Sequence, residues 1–155
     1  MRGAVGRRAH VGTVTGERLL GLPVRLNGIR LGHPVDVLLD LARGLVLGLE
    51  VLCGDDRVRF LPLAAARVEE AELAVGSPLT LVDESGASFY HDRAQGLRLL
   101  RGGSVERDDA ELGTLRDVVL DRDGRILELV LLAPDGLARV QSDGTLRVGG
   151  FRLRC

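Results

Sequence analysis

The chain has no tryptophan and no lysine, one tyrosine, three phenylalanines, one methionine and two cysteines among its 155 residues. With so few rings to bury, any core must be built from Leu, Val, Ile and Ala, which the sequence supplies in quantity. The complete use of arginine for its 21 basic residues removes phosphate-cradling loops that need a lysine after a glycine run. Cys53 and Cys155 are too few and too far apart for a disulfide framework or a metal knuckle. His10, His33 and His91 are scattered, with no spacing that would set two of them on one metal or pair one with a nucleophile. No catalytic group, metal or cofactor is therefore expected.

Long apolar runs are lacking too. The greasiest stretch, Val35–Cys53, is cut by Asp36, Asp40, Arg43 and Glu50, and no segment has the length of a membrane-crossing helix or the apolar centre of a signal peptide. The expectation is a soluble cytoplasmic chain without membrane insertion. A net charge of −1 gives no basic stripe for a phosphate backbone, so nucleic acid is not the expected partner. Only Met1–Thr15 is basic, through Arg2, Arg7 and Arg8.

What is present is an internal echo. Leu31-Gly32-His33-Pro34-Val35-Asp36-Val37-Leu38-Leu39-Asp40 returns eighty-one residues later as Leu112-Gly113-Thr114-Leu115-Arg116-Asp117-Val118-Val119-Leu120-Asp121. The shared frame is L-G-x-x-x-D-V-x-L-D. One residue is lost in the following turn, after which Gly44–Leu52 matches Gly124–Leu132 at eighty, and Arg59 with Arg139 and Arg67-Val68 with Arg147-Val148 continue that spacing. Counting backwards, Gly21 set against Gly96 implies an insertion at Gly102–Ala110 in the second copy.

Within each copy apolar residues recur every second position, the pattern of half-buried strands. Val37 and Leu39 share one face, with Asp36 and Asp40 on the other, and Asp117–Asp121 repeats this. Asp40–Gly44, Asp121–Gly124, Asn27-Gly28 and Asp143-Gly144 read as tight turns. Short antiparallel strands joined this way close most economically as small barrels. The expected fold is all-β: a tail over residues 1–15, one six-stranded unit over 16–82, a linker over 83–95 and a second unit over 96–155, the two packed together. Ser77–Val82 is expected to add a strand to the first unit, and a short helix is expected at Gly86–Gln95.

The third strand of each copy is apolar on both faces. Val46 and Leu52, with Ile126, Val130 and Leu132, therefore form a second apolar surface, expected to meet the sister unit or another chain. Phe89, Tyr90 and Arg93 in the linker join them as the candidate interface.

The frame, its turn, the aliphatic run and the R-[VF] strand resemble the PRC-barrel family, named for the cytoplasmic domain of the photosynthetic reaction centre H subunit and including the C-terminal domain of the bacterial ribosome maturation factor. The resemblance covers Leu20 to about Val75 and, more loosely, Gly96–Cys155. It implies compact six-stranded barrels that dock proteins without chemistry of their own. A non-enzymatic binding or scaffolding role is thus the leading expectation, with another protein or a second copy as partner. The alternatives are a ribosome-assembly or RNA-processing accessory role and small-ligand binding at the barrel junction.

Overall fold

Alternating aliphatic residues set the strands. Along Leu45–Cys53, Leu49, Val51 and Cys53 are buried while Glu50 and Leu52 between them are not, so one side of the strand faces inward. The computed structural model describes residues 12–153, without the side chains of Glu84, Ser85, Ser88 and Phe89, and the chain is mostly β with short helices. The basic residues Arg2, Arg7 and Arg8, as well as His10 and Cys155, lie outside the described residues.

Strand β1 (Thr13–Thr15) leads into helix α1 (Gly16–Leu20). A first curled sheet follows from β2 (Val24–Leu26), β3 (Ile29–Asp40), β4 (Leu45–Cys53), β5 (Val58–Pro62), β6 (Ala66–Val68) and β7 (Leu73–Val75), in the order β5-β4-β3-β2-β7-β6. Helix α2 (Glu84–His91), strand β8 (Gln95–Gly96) and helix α3 (Leu97–Leu100) connect it to the second. That sheet comprises β9 (Ser104–Arg107), β10 (Ala110–Asp121), β11 (Ile126–Ala133), β12 (Gly136–Gln141), β13 (Leu146–Val148) and β14 (Phe151–Arg152), in the order β12-β11-β10-β9-β13-β14.

Strand registers correct two of the sequence alignments. Val24 and Val105 are both fully buried on equivalent strands, and the turns that follow match residue for residue: Asn27 and Gly28 take φ of 50° and 81°, Asp108 and Asp109 of 51° and 66°. The spacing of eighty-one therefore already holds through this hairpin, and the expected insertion at Gly102–Ala110 is absent. Asp108 and Asp109 hid the match because aspartate, like asparagine, tolerates the left-handed region that glycine usually fills. In the β4–β5 hairpin Glu50 pairs with Phe60 and Leu49 with Leu61, whereas in its counterpart β11–β12 Val130 pairs with Arg139 and Leu129 with Val140. The second loop is one residue shorter, so Arg139 occupies the place of Phe60 and not of Arg59.

The strands preceding the two short helices are exchanged. Thr15 of β1 pairs with Val119 of β10, while Gly96 of β8 pairs with Leu38 of β3. Thr15 and Gly96 are equivalent positions, as are Val119 and Leu38, so each half extends the other's sheet by the same bond pattern. The first aspartate of the repeated frame holds the helix that follows. Asp117 accepts from Glu17 N at 3.2 Å to each carboxylate oxygen and from Val118 N at 2.8 Å. Asp36 accepts from Arg98 N at 3.1 Å and from Val37 N at 2.8 Å. Gly96 has no side chain with which to cap α3, and Asp36 from the other half supplies that acceptor. The fit is close: a side-chain carbon on Gly16 would come within 2.8 Å of both Asp117 Oδ1 and a Leu97 methyl.

Hairpin tips complete the reciprocity, with Val46 N donating to Gly124 O at 2.7 Å and Ile126 N to Gly44 O at 2.9 Å. Buried aliphatic side chains from both halves, among them Leu19, Leu39, Leu49, Leu97, Leu120 and Leu129, make one continuous cluster and not two separate interiors. The aspartates also depart from expectation, since Asp40 and Asp117 are buried at 4% and 7% exposure. Bulges between Leu38 and Leu39 and between Leu115 and Asp117 break the simple alternation ahead of Asp40 and Asp117 and turn these carboxylates toward backbone donors.

Removing either cross-half cap leaves its amides unpaired. Asp36→Ala and Asp117→Ala should each lower stability by about 1–2 kcal/mol in urea unfolding, with the asparagine variants milder; variants within error of wild type would show the caps to be idle.

Candidate functional site

The outer face of the first sheet is covered from within the chain. Leu38, Phe60 and Ala87 are buried together, with Leu47, Val82, Tyr90 and Ala94 packed around them. The Phe60 and Tyr90 rings stack at 4.3 Å between centroids and 28° between planes, a pairing worth about 0.5–1.5 kcal/mol beyond the area it buries. Gly48 leaves room for the Phe60 ring, which would lie 2.7 Å from any side-chain carbon there. Helix α2 thus starts and ends earlier than the expected Gly86–Gln95, and it lies on a sheet face. Ser77–Val82 forms a 3-10 turn at Pro78–Thr80, capped by Ser77 Oγ, and then a single bridge in which Phe60 and Val82 exchange backbone bonds of 2.8 and 2.7 Å.

The candidate residues fall into three places. Tyr90 is in the stack just described; Arg93 follows the helix, its N donating to Tyr90 O at 3.1 Å; the Phe89 side chain lies outside the described ones. Val46 and Ile126 are buried at the seam between the hairpins. Leu52, Val130 and Leu132 are elsewhere: Leu52 is half-buried on β4, and Val130 and Leu132 line an open groove on the second sheet.

That groove, of about 640 Å³, is bounded by Val130, Leu132, Leu137 and Arg139 from β11 and β12, by Arg116 and Asp117 from β10, by Glu17 in α1 and by Arg101 just after α3. Leu132 and Leu137 are 44% and 69% exposed, so its apolar wall stands in solvent. Arg101 Nε donates to Arg116 O at 3.0 Å, and an Arg139 guanidinium nitrogen lies 3.5 Å from Glu128 Oε1. The duplication makes the change legible. Arg101, Arg116 and Arg139 stand where the first half has Leu20, Val35 and Phe60, and Val130 stands where it has Glu50. Setting Arg139 against Arg59 hid Arg139 and Leu137, for which the shorter loop was the signal, and setting Gly21 against Gly96 hid Arg101; Arg116 stood opposite Val35 in the doubled frame, but no local signal placed it beside the other two.

The acidic groups have identifiable work. Burial pushes the Asp117 carboxyl up, opposed by the backbone N–H groups of Val118 and Glu17. Arg59 grips Asp55 with two bonds of 2.8 and 2.6 Å and holds it at about 2, below the ordinary 3.8. Asp40 and Asp121 accept turn amides, from Arg43 N at 3.2 Å and from Asp123 N and Arg125 N at 2.9 and 3.0 Å. His91 Nε2 is 3.7 Å from Glu50 Oε1. Among the described residues no three His, Cys, Asp or Glu side chains gather as metal ligands, and no helix is long and apolar enough to cross a membrane. No family model matches the chain, and no curated protein matches it.

Opposite pH signatures should follow from Asp55 and Asp117. The lowered Asp55 stabilises the fold fully above its ordinary value of 3.8 and loses that effect as pH falls toward 2. Asp55→Asn should therefore cost stability near neutrality and nothing at the acid end. For Asp117 the sign reverses: stability is greatest with the carboxyl protonated and is lost as pH rises through its elevated value. Asp117→Asn, which stays neutral, should lose less stability than wild type between mildly acid and neutral pH; urea midpoints across that range check both.

Proposed function

We propose that this chain is a non-catalytic docking module, a tandem pair of PRC-barrel-like units that holds another protein on the outer face of its second sheet. The observation that carries the reading is the contrast between equivalent faces. On the first sheet Phe60 is sealed beneath α2, with Leu52 half-buried and Val58 43% exposed beside it; on the second, Arg139 takes the place of Phe60, and the counterparts Leu132 and Leu137 are 44% and 69% exposed beside three arginines. Exposed aliphatic groups next to guanidinium groups match the composition of protein interfaces, in which arginine is enriched. A small ligand would need enclosure, and a wall with Leu137 69% exposed gives little.

Support for a structural role of the repeated acids comes from their bonds. Asp36 and Asp117 hold the exchanged helices, and Asp40 and Asp121 hold the turns. The family likeness rests on the frame Leu31–Asp40 and its echo Leu112–Asp121, together with two curled β-sheets.

A photo-crosslinking residue placed at Leu137 in the native host should capture one recurrent protein, and the same residue at Leu79, exposed on the 3-10 turn, should not. Repeated absence of a specific adduct from Leu137 would remove the docking reading.

A further inference from the structure

We infer that the outer edge of β12 takes up an extended segment of the partner protein as an added strand, its aliphatic side chains lying over Leu137. This rests on the docking reading and adds the form in which the partner binds. The bond from Ser142 N to Leu127 O, 2.9 Å long, fixes which residues of β12 look toward β11. Bonded and unbonded pairs alternate along an antiparallel ladder. Val140 and Ala138 therefore bond to β11 opposite Leu129 and Leu131, while Gln141, Arg139 and Leu137 turn their amides and carbonyls away from it. No strand follows on that side, because β12 ends the path of its sheet. Among the described residues nothing bonds to the backbone of Leu137 or Arg139, and the Gln141 carbonyl meets only an Arg107 guanidinium nitrogen at 3.5 Å.

The first half shows the same edge occupied. Phe60, the counterpart of Arg139, exchanges both of its outward backbone bonds with Val82, at 2.8 and 2.7 Å, in an antiparallel bridge. The segment that arrives there is extended at Leu81 and brings Val82 onto the apolar cluster around Phe60. Pro62, the counterpart of Gln141, has no amide to offer, which closes that end of β5 to a further strand. On β12 neither device is present. A row of amides and carbonyls left open in this way is the template for strand addition. The Arg139 guanidinium does not guard it, since it reaches back across the ladder to within 3.5 Å of Glu128 on β11. Leu137, 69% exposed, lies on the same face as Arg139, so residues of an added strand that bond to these two set their side chains over it. A helix bonds its own backbone and would leave the open groups to water. A second copy pairing edge to edge in the register that uses Leu137, Arg139 and Gln141 would set Arg139 opposite Arg139, a like-charge pair that opposes the contact.

The test uses the full chain and three labelled peptides of about seven residues in which Val alternates with Thr. In the first the Thr amides are N-methylated, so that only its Val residues can bond to an edge; in its isomer the Val amides are methylated, and in the third all are. Fluorescence anisotropy should show the first peptide binding at least roughly tenfold tighter than either of the others. Amide exchange at Leu137 and Arg139 should slow in its presence, while that of Ala138 and Val140, already bonded to β11, stays as it was. Arg139→Pro removes an outward amide at an edge position that tolerates proline, and it should weaken binding at least roughly tenfold relative to Arg139→Val, which keeps that amide. Urea midpoints report whether both variants fold, and the exchange pattern of the wild type decides without them. Equal binding of the first peptide and either of the others, no binding of it up to about 1 mM, unaltered exchange at Leu137 and Arg139, or equal binding to the two folded variants would each overturn the inference. Protection of the same amides in the chain alone, rising with its concentration, would overturn it in favour of a second copy. A specific crosslink from Leu137 alongside failure of the first peptide would sink the added strand and leave the docking reading; absence of both would sink the two together.

Discussion

A carboxylate reaching from one half of the chain to a helix of the other sets the geometry of everything else. Helices as short as α1 and α3 cannot persist by themselves, because the first turn costs more conformational freedom than its few bonds return. They stand because Asp117 and Asp36 take up amides at their N-terminal ends, and because Leu19, Leu97 and Leu100 are buried beneath them. The same aspartates bind the amide of the residue that follows them, which fixes the bulge and turns Val37 and Val118 inward. Thus the pattern D-V-x-L-D is a joint specification: one acid for the neighbour's helix, two aliphatics for the core and a second acid for the turn.

Given this frame, the two sheets differ where they face outward. The connection between the halves folds back as α2 and closes the first sheet with an aromatic stack over Gly48. At the matching places the second sheet has Glu128 and Arg139 in an ion pair where the first has Gly48 and Phe60. A glycine that admits a ring and a glutamate that holds an arginine are alternative solutions on one scaffold. The first produces a sealed surface and the second a surface that remains wet.

Much of the architecture was readable because period-two aliphatics and the doubled frame are local signals. Val37 with Leu39 and Val118 with Leu120 announce strands, and Asp40 and Asp121 announce turns, without any reference to tertiary structure. The exchange was not readable, since nothing in Thr13–Thr15 or Gln95-Gly96 records which distant strand will pair with it. The burial of Asp40 and Asp117 was hidden for a related reason: bulges depend on which amides a carboxylate finds in three dimensions. The groove was masked by one residue. Setting Arg139 beside Arg59 made a substitution look like an identity, whereas the true counterpart, Phe60, shows an aromatic exchanged for a charge.

Reciprocal strand exchange also bears on how the molecule assembles. Two unlinked chains making the same bonds, Thr15 to Val119 and Gly96 to Leu38, would come together only as mass action allowed, and dilution would strip the edge strands from both sheets. Carried on one polypeptide, the arms meet at an effective concentration of order millimolar whatever the abundance of the protein. Covalent continuity through Gly76–Ala94 thereby converts a second-order encounter into a first-order closure.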